Sequence, residues 1–230
     1  MSYKTVCVAG GGVLGSQIAF QAAYCGFDVT IWLRSEGSIG RTQPKIDHVR
    51  EEYIAAIEGM ADGTGEWCAG IADSGQPFDK EVALAAVERA YSTLKLELDL
   101  AKAVADADLV IESMAEDTQA KIDFYKKLAP VLPQKTVVVT NSSTLLPSTF
   151  AKYTGRPEKY LSLHFANSIW KNNMTEVMAQ SQTDKRCFDE LVDFANDIRM
   201  LALPVNKEKN GYLLNSMLVP WLLSGLDLYV

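Results

Sequence analysis

Short apolar runs alternate with amphipathic stretches along almost the whole chain. Val6-Cys7-Val8-Ala9 is apolar and stops at Gly10-Gly11-Gly12. Past Gly15, residues 16–24 have the pattern of a helix, with Gly26 where a C-cap belongs, and residues 29–33 are again β-prone. Strand, glycine turn, helix and strand within about 30 residues mark a βαβ unit and a parallel sheet. Residues 44–60 then repeat with helical period, Ile46, Val49, Tyr53, Ile54 and Ile57 sharing one face. A Gly-, Asp- and Ser-rich turn (62–77) separates them from a second predicted helix, 81–91. The α/β rhythm resumes with strands predicted at 94–98, 109–111, 136–140, 160–165, 174–178 and 201–205. Helices are expected at 100–105, 117–128 and 183–200. From 210 to 230 the pattern changes to one helix that is apolar on nearly every side, which demands burial.

Composition narrows the class. Of 230 residues 48% are hydrophobic and 22% charged, as in a folded globular chain. The net charge of −7 argues against a general nucleic-acid binder or a polybasic membrane protein. Residues 212–226 form the longest greasy stretch, and Asn215, Ser216, Pro220 and Ser224 interrupt it, so no membrane span is expected. The four cysteines show no C-x-x-C spacing and the first apolar run is too short for a secretory core. Reduced thiols, no metal site and a cytoplasmic location are the expectation.

Gly10-x-Gly12-x-x-Gly15 stands between a predicted strand and helix, the context that makes this pattern a dinucleotide-binding turn. Its glycines allow the tight turn, the close approach of a pyrophosphate, and close helix–strand packing, with the diphosphate on the helix N-terminus. An NAD site normally ends its second strand in Asp or Glu; here Leu33 stands there, followed by Arg34 and Ser35. Arg34 can pair with a 2′-phosphate, as in NADP, or lie solvated on a loop, and Glu36 can reach the ribose. Cofactor choice stays open between NAD and NADP.

Two histidines are present. His48 falls in a predicted helix beside Asp47 and Arg50 and reads as a surface residue. His164 ends a predicted strand, where α/β sheets bind ligands, and Glu176 lies twelve residues on in an apolar run. A carboxylate there is costly without a partner, and pairing with His164 would fix the imidazole tautomer and raise its basicity. The residues alone fit a structural or a catalytic histidine.

Several motifs in order carry a resemblance over most of the chain: Val8-Ala9-Gly10-Gly11-Gly12-Val13-Leu14-Gly15, Leu109-Val110-Ile111-Glu112-Ser113-Met114-Ala115-Glu116, Thr140-Asn141-Ser142-Ser143-Thr144, His164-Phe165-Ala166-Asn167 with Glu176, and Asn210-Gly211-Tyr212-Leu213-Leu214-Asn215. Together they resemble the short-chain L-3-hydroxyacyl-CoA dehydrogenases of the 3-hydroxybutyryl-CoA dehydrogenase type. The resemblance implies an α/β, Rossmann-type, doubly wound and mainly parallel sheet over 1–206, with an inserted helical hairpin at about 44–91. Residues 207–230 would be the first helix of a truncated all-α C-terminal domain, through which the family forms homodimers.

The resemblance also implies roles. His164 corresponds to the general base, Glu176 to its orienting partner, and Ser143 and Asn215 to the groups that bond the substrate's reacting oxygens. Gly10, Gly12, Val13, Leu14, Gly15, Leu33, Arg34, Glu116, Lys121, Asn141 and Asn167 fall at cofactor positions. The implied substrate is a short-chain acyl-CoA, the hairpin facing CoA, with Lys45 and Arg50 as candidates for its phosphates. Ser142, Ser143 and Thr144 equally suit a helix N-cap. Two features depart from the family: Leu33 in place of the acid, and Ser168-Ile169-Trp170 where proline usually follows the His-Phe-x-Asn motif. Two other readings are a hydroxy-acid dehydrogenase without CoA, of the gulonate 3-dehydrogenase type, and a dinucleotide-binding sensor with little turnover.

Overall fold

A computed structural model describes residues 3–229. The described chain folds into one sheet of eight strands in the order β3-β2-β1-β4-β5-β6-β7-β8. These are β1 (Thr5–Ala9), β2 (Asp28–Trp32), β3 (Lys95–Glu97), β4 (Leu109–Glu112), β5 (Val137–Thr140), β6 (Tyr160–Phe165), β7 (Met174–Met178) and β8 (Leu201–Val205). All neighbours pair in parallel except β6 and β7. Strand order reverses between β1 and β4, which opens a crevice beyond their carboxyl ends.

The strands are apolar throughout because both faces are covered. On one face Val6, Val8, Ile31, Ile111 and Val139 meet α1 (Val13–Tyr24), the hairpin of α2 (Glu36–Asp62) and α3 (Lys80–Thr93), and α6 (Lys185–Asp197). On the other, Cys7, Ala9, Val110 and Val138 meet α4 (Leu100–Val104) and α5 (Thr118–Leu128). The alternation of Val6 and Val8 with Cys7 and Ala9 is the strand's period of two. Helix α1 buries every residue from Gly15 to Tyr24, so it is a core helix without a solvent face.

Several boundaries differ from expectation: α1 starts at Val13 rather than at residue 16, and three others are informative. Helix α2 begins at Glu36, eight residues before Pro44, and runs through that proline to a left-handed Gly63. Pro44 lacks an N–H and so reads as a helix start, yet here it lies inside. Pro44 leaves the Gly40 carbonyl without its helical donor, and both residues are exposed, so solvent takes that bond. Helix α6 is shorter than expected, starting after the Asp184 cap, whose carboxylate accepts from Arg186 N. The C-terminal helix α7 spans Leu214–Asp227, starting four residues later than expected; Val230 lies outside the described residues.

The burial demanded of α7 is not met within the described chain: none of its residues is buried, and Met217 and Trp221 are 67% and 74% exposed. No helix among the described residues is long and apolar enough to cross a membrane.

Trp170, in the segment that departs from the family pattern, docks the hairpin on the sheet. It is buried, its ring lies 5.1 Å from that of Tyr53 on α2, and its carbonyl accepts from Gly70 N at 3.0 Å. A Cβ on Gly70 would come within 2.7 Å of the Trp170 backbone, so the glycine is what lets the two segments touch.

Candidate active site

The glycine turn is shaped by contacts that exclude side chains at two of its positions and leave the third open. Gly10 has φ +120°, and a Cβ there would lie 2.5 Å from the Ser113 carbonyl oxygen. A Cβ on Gly15 would lie 2.1 Å from the Gly10 carbonyl oxygen, whereas one on Gly12 would meet nothing within 4 Å. Gly12 is the N-cap of α1 and brings no capping side chain, so the first-turn amides are free beside open space. A diphosphate fits this cradle: free N–H groups, the positive end of α1, and room at Gly12. Replacing Gly15 with Ala should therefore cost about 1–3 kcal/mol, the usual penalty for overpacking. Thermal unfolding and dinucleotide titration check this; an unchanged melting temperature and affinity would show that α1 can shift without penalty.

Opposite the turn, the antiparallel β6–β7 pair sets His164 directly across from Glu176. His164 Nδ1 and Glu176 Oε2 are 2.8 Å apart. The other carboxylate oxygen, Oε1, accepts from the backbone N–H groups of Leu213 and Leu214 at 2.6 and 2.8 Å. Burial pushes the Glu176 carboxyl up, but the hydrogen bonds from His164, Leu214 and Leu213 outweigh it and hold the group below its ordinary value. With Glu176 ionised, Nδ1 carries the proton and Nε2 is left as the acceptor. Tyr212, at φ +52° and fully buried, covers the imidazole at 5.0 Å between ring centroids.

His164, Ser143, Asn215, Asn141, Asn167, Glu116 and the turn residues Gly12 to Gly15 all line one cavity of about 790 Å³. Asn141 uses its side chain as a brace, accepting from Phe165 N at 3.0 Å and donating to Ser113 Oγ at 3.3 Å. Glu116 holds the serine loop: it accepts from Ser142 Oγ at 2.8 Å and Ser143 N at 2.7 Å. Gly10, Leu33 and Arg34 line a second cavity of about 300 Å³, which also reaches Gly12.

Lys121 is not brought to either cavity. Its side chain is 1% exposed and runs beneath the site to Glu112, with N–O distances of 2.6 and 2.8 Å, and lies 3.8 Å from Glu116. Arg50 is bound to Glu88 at 2.6 Å and stacks over Tyr91, so it ties the two hairpin helices together.

Sequence reasoning passed over Ser38 and Arg41, which line the smaller cavity together with Lys45. Their spacing, 38, 41 and 45, is that of one helix face and becomes visible once α2 is started at Glu36. Glu112 was also missed, since a carboxylate closing an apolar strand gives no sign of how many donors converge on it.

Comparison with known proteins places these features. The family model described as "3-hydroxyacyl-CoA dehydrogenase, NAD binding domain" matches residues 5–209. The chain is 28% identical over 227 residues to human mitochondrial hydroxyacyl-coenzyme A dehydrogenase, covering 98% of this chain and 66% of that protein. It is 27% identical to 3-hydroxybutyryl-CoA dehydrogenase of Clostridioides difficile, covering 97% and 71%. A solved diketoreductase, described as acting on dicarbonyl compounds, is 41% identical with a TM-score of 0.79, covering 100% of this chain and 73% of that one. The chain thus spans about two thirds of the length of the curated relatives it matches. With its glycine turn, mainly parallel sheet and paired His164 and Glu176, this chain belongs to the 3-hydroxyacyl-CoA dehydrogenase family of oxidoreductases, residues 5–209 forming its NAD binding domain.

Proposed function

We propose that the protein interconverts a short-chain 3-hydroxyacyl-CoA and its 3-oxoacyl-CoA. The observation that carries this reading is the His164–Glu176 pair, 2.8 Å apart, opening into the same cavity as the glycine turn. The bound nicotinamide dinucleotide supplies the hydride acceptor, or donor in reverse, and Gly10, Gly12, Val13, Leu14 and Gly15 would hold its diphosphate. In the oxidative direction His164 Nε2 takes the proton of the 3-hydroxyl. Glu176 stabilises the imidazolium that forms, and it can do so because two backbone amides keep it ionised and immobile. Ser143 and Asn215 donate to the reacting oxygens, Asn167 would sit between the histidine and the nicotinamide, and Asn141 and Glu116 keep the surrounding loops in register. In reduction the imidazolium returns the proton.

A second reading has a specific observation in its favour. The 41% identical diketoreductase is described by its action on dicarbonyl compounds, and a 3-oxoacyl thioester is itself a 1,3-dicarbonyl. The same residues would serve a 3-oxo ester lacking CoA. Absorbance at the nicotinamide band separates the two: acetoacetyl-CoA and ethyl acetoacetate are supplied in turn with NADH or NADPH. The CoA reading expects kcat/KM higher by about 10-fold or more for the thioester, from contacts remote from the reacting carbon. Equal rates, or a preference for the ester, transfer the assignment to the CoA-free reaction, and no oxidation of either cofactor sinks both.

On this reading residues 1–206 form the dinucleotide-binding unit and 207–230 begin a helical one. The exposed Met217, Trp221, Leu222 and Leu226 of α7 then give a second copy of the chain its docking surface.

A further inference from the structure

We propose that the smaller cavity beside the glycine turn is a receptor for a phosphate monoester on the adenosine ribose, so that the protein prefers NADPH to NADH. The proposal rests on the oxidoreductase reading above and specifies which form of the cofactor that site takes.

The first observation is a missing acid. At the end of β2, where a carboxylate would accept from both ribose hydroxyls, the chain has Leu33, 3% exposed and packed towards Gly11, where a Cβ would come within 2.8 Å of it. Leu33 cannot accept from the 2′-hydroxyl, and equally it does not repel a phosphate placed there. The second observation is what replaces the acid. Arg34, Arg41 and Lys45 line this cavity, and none of its lining residues is a carboxylate, Glu36 at the start of α2 not being among them. The chain as a whole carries 29 acidic against 22 basic residues, so three cations about one cavity of about 300 Å³ do not reflect a generally basic surface.

The third observation is how the cations are presented. Arg41 donates through Nη2 to Ser38 Oγ at 3.0 Å, and Ser35 Oγ lies 3.0 Å from the same hydroxyl. Ser38, Arg41 and Lys45 stand on α2, whose first turn follows directly from the Leu33-Arg34 corner. Arg34, exposed, lines the cavity from the strand end. A guanidinium fork, a hydroxyl and an ammonium lining one cavity are the donor set that a dianionic phosphate needs, the Lys45 ammonium exchanging its bond to the Arg41 carbonyl for one to the phosphate.

A 3′-phosphate of CoA has the same chemistry. The 2′-phosphate is favoured because Gly10, Gly11 and Gly12 also line this cavity, which puts it one nucleoside away from the diphosphate cradle.

Titration of the full chain with 2′,5′-ADP, 3′,5′-ADP and 5′-AMP, followed by calorimetry, reads the cavity without turnover. We expect 2′,5′-ADP to bind at least about 10-fold more tightly than 5′-AMP, as one charge-assisted contact supplies, and NADPH to exceed NADH by a similar factor. Arg34→Ala should cut the NADPH-to-NADH affinity ratio by about 10-fold or more, and Leu33→Asp should cut it further by placing a like charge beside the phosphate. Circular dichroism of both variants checks that they fold. Equal binding of 2′,5′-ADP and 5′-AMP, tighter binding of 3′,5′-ADP, or a ratio that neither variant moves would overturn the proposal. If NADPH is preferred but no 3-oxo substrate is reduced, the catalytic reading falls and this one stands.

Discussion

Replacing His164 with Ala should lower the rate of 3-oxoacyl reduction by about 10³-fold while leaving a folded protein that still binds dinucleotide. The imidazole is buried and held by Glu176 at 2.8 Å and by the Tyr212 ring, and the backbone that carries it is fixed by Thr175 of β7, whose Oγ1 donates to the His164 carbonyl at 2.8 Å. These contacts spend no energy on the glycine turn across the cavity, so loss of the imidazole removes proton transfer without removing the cradle.

Glu176→Gln separates orientation from charge. It keeps the size of the side chain but removes the ionised partner, and should cost about 10²–10⁴-fold in rate, the range seen when a histidine loses its carboxylate. The same substitution has a stability signature whose sign follows from the Glu176 carboxyl lying below its ordinary value of 4.5. A depressed acid stabilises the fold fully above that ordinary value and loses the contribution as pH falls through the lower, folded one. The difference in melting temperature between the parent and Glu176→Gln should therefore be greatest near neutral pH and shrink below about pH 4. Steady-state rates of His164→Ala within 10-fold of the parent would refute the assignment.

Much of this site was legible because its chemistry is local in sequence. Gly10, Gly12 and Gly15 sit between a strand and a helix whose patterns are short and strong, and the period-two alternation of β1 gives both faces of the sheet at once. His164 and Glu176 were harder: twelve residues separate them, and the antiparallel return of β7 is what places one opposite the other. The misreadings have physical causes too. Pro44 hid the first turns of α2, and with them the helix face that carries Ser38 and Arg41. Lys121 lies in sequence near Glu116 and was expected at the cofactor, but a lysine stem can run either way from a helix, and here Glu112 draws it under the sheet's end. The apolar tail reads as needing cover, from its own domain, from a second subunit or from a further helical domain; within the described chain none of the α7 residues is buried.

That buried ion pair leads to the largest effect on stability. Glu112, 0% exposed at the end of β4, accepts from Lys121 Nζ at 2.6 and 2.8 Å, from Thr140 Oγ1 at 2.7 Å, from Tyr125 OH at 3.0 Å and from Met114 N at 2.7 Å. Tyr160 OH extends the chain by donating to Tyr125 OH at 2.9 Å. The carboxylate is thus a junction between β4, β5, β6 and α5. Lys121→Met removes the one cation bonded to it and leaves a negative charge with neutral donors and with Glu116 close by. Breaking a buried pair this way costs about 3–5 kcal/mol. At roughly 2–4 °C per kcal/mol for a chain of this size, the melting temperature should fall by about 6–20 °C. Adding Glu112→Gln to Lys121→Met discharges the orphaned carboxylate and should recover part of that loss, because the penalty lies in the unpaired charge more than in the missing bond. Dinucleotide affinity should fall with stability in the single variant and return in the double one. The coupling follows from position: Ser113, Met114 and Ala115 come directly after Glu112, line both cavities, and are held in place by the Met114 N–H bond to that carboxylate. A Lys121→Met protein that melts within 2 °C of the parent, or a double variant weaker than the single, would mean that the junction holds without its charge. The strand end would then owe its shape to packing alone.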